Sequence, residues 1–200
     1  LLLGSGTSLN MGQFSNTGVF TLGAGGAATV GGSVSNSGTL MLNGANLAAN
    51  GFTNEDGGIV SGTGSFTLGG GSGQFYNNGI LSPGGDNAVG SLSIVGSYSQ
   101  GAKGILKLDF ASATNYDTIT VVGQTLGLDG TLITKLLDTY RPAVGTSFTP
   151  FLGASESTGG FRYVEGDIVT SGGVKNMIKA RYNIGEPTVP EAIEILKGLK

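Results

Sequence analysis

Three stretches of the chain set an asparagine two residues ahead of a glycine, between apolar positions. Phe14-Ser15-Asn16-Thr17-Gly18-Val19-Phe20 aligns without gaps with Val34-Ser35-Asn36-Ser37-Gly38-Thr39-Leu40 and with Phe75-Tyr76-Asn77-Asn78-Gly79-Ile80-Leu81. A fourth, Phe52-Thr53-Asn54-Glu55-Asp56-Gly57-Gly58-Ile59-Val60, fits with two residues added. The asparagines fall 20, 18 and 23 residues apart. A period near twenty, made of short apolar runs and turns, belongs to a solenoid of stacked coils. It is too short for helical-hairpin repeats, and the dense leucine frame of a leucine-rich repeat is missing. A parallel β-helix fits: each coil supplies two or three strands, and each strand pairs with its copy one turn away. At the strand spacing of about 4.8 Å, four or five such coils make a rod of about 20–25 Å.

The motif then reads as a corner. Bending the backbone between two sheets favours Gly, which takes positive φ cheaply, and Asn, which tolerates it. Equivalent asparagines also stack in register, their amides hydrogen-bonding along the rod as in cross-β ladders. The column Asn16, Asn36, Asn54, Asn77 with Gly18, Gly38 and Gly79 is the expected structural ladder. The rival is an antiparallel sandwich with hairpin turns. Tight hairpins favour Asn and Gly side by side, whereas one residue separates them here.

Composition agrees and excludes much chemistry. The 200 residues include 39 Gly, 12% charged residues and no Cys or His. Glycine without a Gly-X-Y period excludes collagen, and low charge argues against disorder. Without Cys and His there is no disulfide, no thiolate or imidazole metal site and no His-dependent triad or dyad. Residues 1–100 hold no Lys or Arg and only Glu55, Asp56 and Asp86 as acids. Nucleic-acid binding needs clustered basic residues, so it is rejected. The opening LLLGSGTSLN is not a signal peptide and reads as a coil entered partway through, and no run is long enough for a membrane-spanning helix.

From residue 79 the pattern changes. Gly79-x-Leu81-x-Pro83-Gly84 is followed by Gly90-x-Leu92-x-Ile94-x-Gly96-x-Tyr98-x-Gln100, then Gly104-x-Leu106-x-Leu108. Asp117-x-Ile119-x-Val121-x-Gly123 and Leu128-x-Gly130-x-Leu132 come next. Over roughly residues 74–165 this resembles the C-terminal passenger region of bacterial autotransporters and related haemagglutinin-like surface proteins. The resemblance implies the last part of a β-helix that helps the passenger fold outside the cell, and it marks Pro83, Gly84, Tyr98, Asp117 and Gly130 as a cap motif. No outer-membrane barrel follows, so self-translocation is not expected of this chain.

The expected fold is therefore all-β: a parallel β-helix with a β-rich C-terminal cap and a short terminal helix. Residues 1–91 form the coils, 92–184 a cap that continues the solenoid, and 185–200 a linker and helix. Unpaired edges at the end of a stack need covering, which suits the charges placed after residue 100. Residues 161–184 read as two strands around Ser171-Gly172-Gly173. Pro190-Glu191 opens the helix, with Ile193, Leu196 and Leu199 on one face.

Candidate sites are few. Gly23 to Ala28 matches a loose dinucleotide fingerprint but lacks the helix and ribose-binding acid, so it is a turn. GGGSGQFY (69–76) lacks the Asp a calcium repeat requires, and Asp86-Asn87 supplies one carboxylate where a hard cation needs several. Glu55-Asp56 reads as a solvated corner, and Asp109, Asp117, Asp129 and Asp138 sit in the cap, with Asp117 capping a turn. No catalytic, cofactor or metal residue is assigned. The function expected is a structural or adhesive extracellular solenoid, a rigid shaft or matrix building block of a bacterial surface. The alternatives are a self-assembling filament subunit and a carbohydrate-active β-helix enzyme, which would need converging carboxylates. The partners implied are a second copy, through strand edges or lateral packing, and cell-surface or matrix glycans.

Overall fold

A computed structural model describes residues 1–166, 168–171, 174–181 and 192–197, the last three as backbone. Its first 166 residues wind into a parallel β-solenoid of three sheet faces. Face one takes Leu2–Leu3 (β1), Val19–Leu22 (β4), the start of Thr39–Ala49 (β7), the start of Ile59–Leu68 (β9), Ile80–Pro83 (β11), Ile105–Phe110 (β14), Thr131–Leu136 (β17) and Tyr163–Gly166 (β21). Face two takes Ser8–Met11 (β2), Ala27–Val30 (β5), the ends of β7 and β9, Ser91–Val95 (β12), Thr118–Val121 (β15) and Phe151–Leu152 (β19). Face three is a 7-stranded sheet of Phe14–Asn16 (β3), Val34–Asn36 (β6), Phe52–Asn54 (β8), Gln74–Asn77 (β10), Ser97–Gln100 (β13), Thr125–Leu128 (β16) and Glu156–Gly159 (β20). Every strand pairing among these is parallel, which disposes of the antiparallel sandwich.

Period-2 alternation fills the interior. Phe20, Leu40, Val60, Leu81, Leu106 and Leu132 stack in register on face one, all at most 1% exposed. On face three Val34, Phe52, Phe75, Tyr98 and Leu126 form a second buried column. Their neighbours in sequence, such as Ser15, Thr53 and Ser99, point outward. Seven strands on face three mean about six turns from first to last, so the rod is about 30 Å long at the strand spacing.

The corner glycines correct the expectation about φ. Gly18, Gly38 and Gly79 are not in the left-handed region; only Gly57, in the expanded corner, has a positive φ of 83°. What excludes a side chain is the rung above. A Cβ built on Gly38 would lie under 3.0 Å from the backbone O and N of Gly18, and one on Gly79 would meet the carbonyl oxygens of Gly58 and Glu55 as closely. Gly18 has nothing within 4 Å. Gly38→Ala is therefore expected to cost about 2 kcal/mol or more, because only backbone stands in the way. Gly18→Ala should stay within about 0.5 kcal/mol. Urea midpoints of the two variants check this, and equal costs would remove the rung above as the cause.

The end of the chain holds a second correction. The expected terminal helix is not formed: Ala192–Lys197 (β24) is extended and pairs antiparallel with Val174–Arg181 (β23) and with Ser147–Phe148 (β18). Isolated helices this short are marginal, whereas a strand with two β-branched isoleucines gains partners on both edges. The rest of 185–200, including Pro187, Pro190 and Leu199, lies outside the described residues. Ile168–Ser171 (β22) pairs antiparallel with β23, forming the two strands expected around the Ser-Gly-Gly turn.

Candidate functional site

The amide column is built as its spacing implied. Asn16, Asn36, Asn54 and Asn77 close β3, β6, β8 and β10, where parallel register stacks them. All lie at 0–6% exposure, a burial that carboxamides tolerate only when hydrogen-bonded. Asn16 Nδ2 donates to Asn36 Oδ1, Asn36 Nδ2 to Asn54 Oδ1 and Asn54 Nδ2 to Asn77 Oδ1, each at 2.8 Å. The second proton of each goes to a main-chain carbonyl of the following coil: Thr39, Ile59 and Ile80.

Gln100 extends this column, which the asparagine search missed. Tyr98-Ser99-Gln100 pairs in register with Phe75-Tyr76-Asn77, so the alignment held the signal. Its Oε1 faces Asn77 Nδ2 at 3.5 Å and accepts the Tyr98 hydroxyl at 2.8 Å. Its Nε2 donates to the carbonyls of Gly104, Asp129 and Thr131. Leu128 and then Gly159 follow in the column, so the amides end there on backbone. Tyr98 is thereby a buried core ring whose hydroxyl donates to the last amide of the ladder.

Chemistry-bearing side chains gather at the corner between faces one and two. In the third and fourth coils that corner is a continuous strand, but later it opens into the segments 84–90, 111–117 and 137–150, the last of which carries β18. Pro83 ends β11, and Gly84, at φ 77°, donates to Gly62 O and would strike the backbone of Ala88 and Gly90 with any side chain. Asp117 then staples the corner. Its Oδ1 accepts Gly90 N–H at 2.7 Å and its Oδ2 accepts Asp109 N–H at 2.8 Å, with no exposure at all. Capping is the role these two bonds describe.

Asp86, Asn87, Lys107, Asp109, Ile133 and Lys135 line a cleft of about 290 Å³ beside this staple. Lys107 Nζ bonds Asp86 at 3.2 Å, Lys135 Nζ donates to Asn87 Oδ1, and Asp109 Oδ2 accepts Ala88 N–H at 3.1 Å. Two carboxylates thus share a cleft, each already engaged. Three other acids sit apart from the cleft. Asp129 pairs with Arg162, Asp56 with Lys103, and Glu55 accepts the Ser35 hydroxyl. Gly130, at φ 66°, follows Asp129 and donates its N–H to that side chain. Gly69–Gly71 is a short 3-10 turn. Among the described residues no three His, Cys, Asp or Glu are grouped to hold a metal ion, and no helix is long and apolar enough to cross a membrane.

Burial pushes Asp117 up to about 7, outweighing the two N–H bonds that favour its charge, with the nearby Asp109 carboxylate adding to the rise. Burial raises Asp109 as well. The sign follows directly: between 3.8 and 7 the folded state holds the proton more tightly than the unfolded chain. The contribution of Asp117 to stability is therefore largest below about pH 4, falls by up to about 1.4 kcal/mol per unit as pH rises, and levels above 7. Urea midpoints between pH 4.5 and 7.5 should decline in the native chain and decline far less in Asp117→Asn. Parallel slopes in the two proteins would count against this.

Fold and site together define a parallel β-solenoid with an internal carboxamide column. No protein-family model matches the chain, and no curated protein matches it either.

Proposed function

We propose that this chain is a rigid structural segment, a shaft or matrix building block, of a protein displayed on or secreted from a bacterial cell. The observation that carries the reading is the unbroken parallel ladder, with buried amides bonded from Asn16 through Gln100. The coils are tied to one another by main chain throughout and by side chain from Asn16 to Gln100, which resists bending without requiring any reactive group. The resemblance of residues 74–165 to autotransporter and haemagglutinin-like passengers supports an extracellular setting and a load-bearing or adhesive role.

Rigidity is directly measurable. Ser15 and Thr158 are exposed and stand at the two ends of one outward column on face three, so Ser15→Cys with Thr158→Cys can carry spin labels. One narrow distance distribution near 30 Å is expected from six strand spacings. A broad or multiple distribution would remove the shaft. The carboxylates of the 290 Å³ cleft favour the enzyme as second reading. Incubation with pectin- and alginate-like polymers decides it: no new chain ends are expected, and their release would put an enzyme in place of the scaffold.

A further inference from the structure

The two ends of the rod differ. At the first rung β1, β2 and β3 each pair only with the following coil among the described residues. Their inward side chains Leu3, Leu9, Met11 and Phe14 are only half-buried, whereas Leu22, Ala28, Val30 and Val34, one rung on, are at most 2% exposed. Leu1, Leu2 and Val19 add 67%, 72% and 58% exposed apolar surface. No charged side chain occurs in residues 1–54 to guard this edge, although uncovered strand edges ordinarily carry one. At the other end Glu156, Arg162 and Glu165 lie on or beside the last strands, and β18, β24, β23 and β22 form a separate antiparallel sheet.

The amide column has a direction, and it is incomplete at the first rung. Asn36, Asn54 and Asn77 each receive an Nδ2 proton from the preceding coil at 2.8 Å. Among the described residues Asn16 Oδ1 receives only the Gly18 N–H of its own corner, at 3.3 Å. The adjacent Gly18 has the same open space on that side that Gly38 lacks.

We infer that the end formed by Leu2–Leu3, Ser8–Met11 and Phe14–Asn16 is a docking edge for one further parallel coil that carries a carboxamide at its corner. Such a coil covers the four half-buried side chains, pairs three strand edges by β-augmentation and donates an amide proton to Asn16 Oδ1. The far end of a second copy does not fit, because its column position is Gly159, which has no side-chain donor. A head-to-head copy would set two Asn16 oxygens against each other. The inference rests on the geometry of this end and holds whether or not the shaft role does.

The test prefixes a copy of residues 19–39 to Leu1, which places the copied asparagine one coil above Asn16. Backbone amides of β1–β3 are expected to exchange about tenfold more slowly or better. The same prefix with its asparagine changed to alanine should lose most of that gain. Gly18→Ala, harmless in the native chain, should become destabilising under the prefix, since the added corner closes the space beside it. Equal protection by the asparagine and alanine prefixes would overturn the amide requirement, and no protection from either would overturn the docking edge. Sedimentation of the unmodified chain should show no end-to-end oligomers; oligomers that the prefix abolishes would assign the edge to a second copy instead.

Discussion

Asn54→Asp is expected to destabilise the rod by about 4 kcal/mol or more at pH 7, a loss larger than Asn54→Ala produces. Asn54 is fully buried and occupies the middle of the column. It accepts from Asn36 and donates to Asn77 Oδ1 at 2.8 Å and to the Ile80 carbonyl at 3.0 Å. Aspartate keeps the acceptor and loses both protons, so Asn77 Oδ1 faces another oxygen across a dry interior. An uncompensated buried charge alone costs about 3–5 kcal/mol, and the orphaned acceptor adds about 1–3. Alanine forfeits the hydrogen bonds and leaves a small void, but it brings no charge. Against a total stability of about 5–15 kcal/mol, the aspartate variant is marginal. Acidification should narrow the gap, because a protonated carboxyl regains one donor. Urea unfolding of both variants at pH 4.5 and 7 measures this; an Asn54→Asp midpoint matching the native one at pH 7 would falsify the bonded column.

Much of this column was legible because it depends on identity at a fixed register. Only a side chain with both a donor and an acceptor can relay bonds from coil to coil, so asparagine recurs where the backbone copies itself. The role of its companion glycines was misassigned for an instructive reason. Positive φ is a local property that a sequence suggests residue by residue. The exclusion at Gly38 and Gly79 comes from Gly18 and Gly58, twenty residues or so away, and exists only once the coils stack. Gln100 escaped notice because its longer arm reaches the column with a different residue type, although its register with Asn77 was visible.

The C-terminal part was harder to read for the same reason. Ile193, Leu196 and Leu199 have helical spacing, yet residues 192–197 form a strand, because β18 and β23 offer edges that local periodicity does not report. The Asp117 staple was anticipated as a turn cap, but its two partners, Gly90 and Asp109, come from the preceding corner and strand. Nor does the spacing of Asp86, Lys107, Asp109 and Lys135 along the chain announce a shared cleft. Stacking coils of unequal length brings them together.

Phe75→Ala should produce the other large loss, about 4–5 kcal/mol, at the upper end for truncating a buried aromatic. Phe75 is fully buried, stacked on Phe52 with centroids 4.7 Å apart and set edge-on to Phe66 at 4.8 Å. Tyr98 lies at 5.7 Å on the other side. Removing the ring empties a site walled by three aromatics from coils above, beside and below, and sheet pairing on both sides prevents collapse. The damage also reaches the amide column, because Tyr98 positions the Oε1 of Gln100 through its hydroxyl. Phe75→Leu, which keeps most of the volume, should cost about 1–2 kcal/mol. Phe14→Ala is the internal comparison: it has the same column position and an edge-on partner, Phe20, at 4.9 Å, but no coil over it. Its loss should be less than half that of Phe75→Ala. If the two alanine variants unfold at the same urea concentration, burial between coils is not what gives these rings their weight.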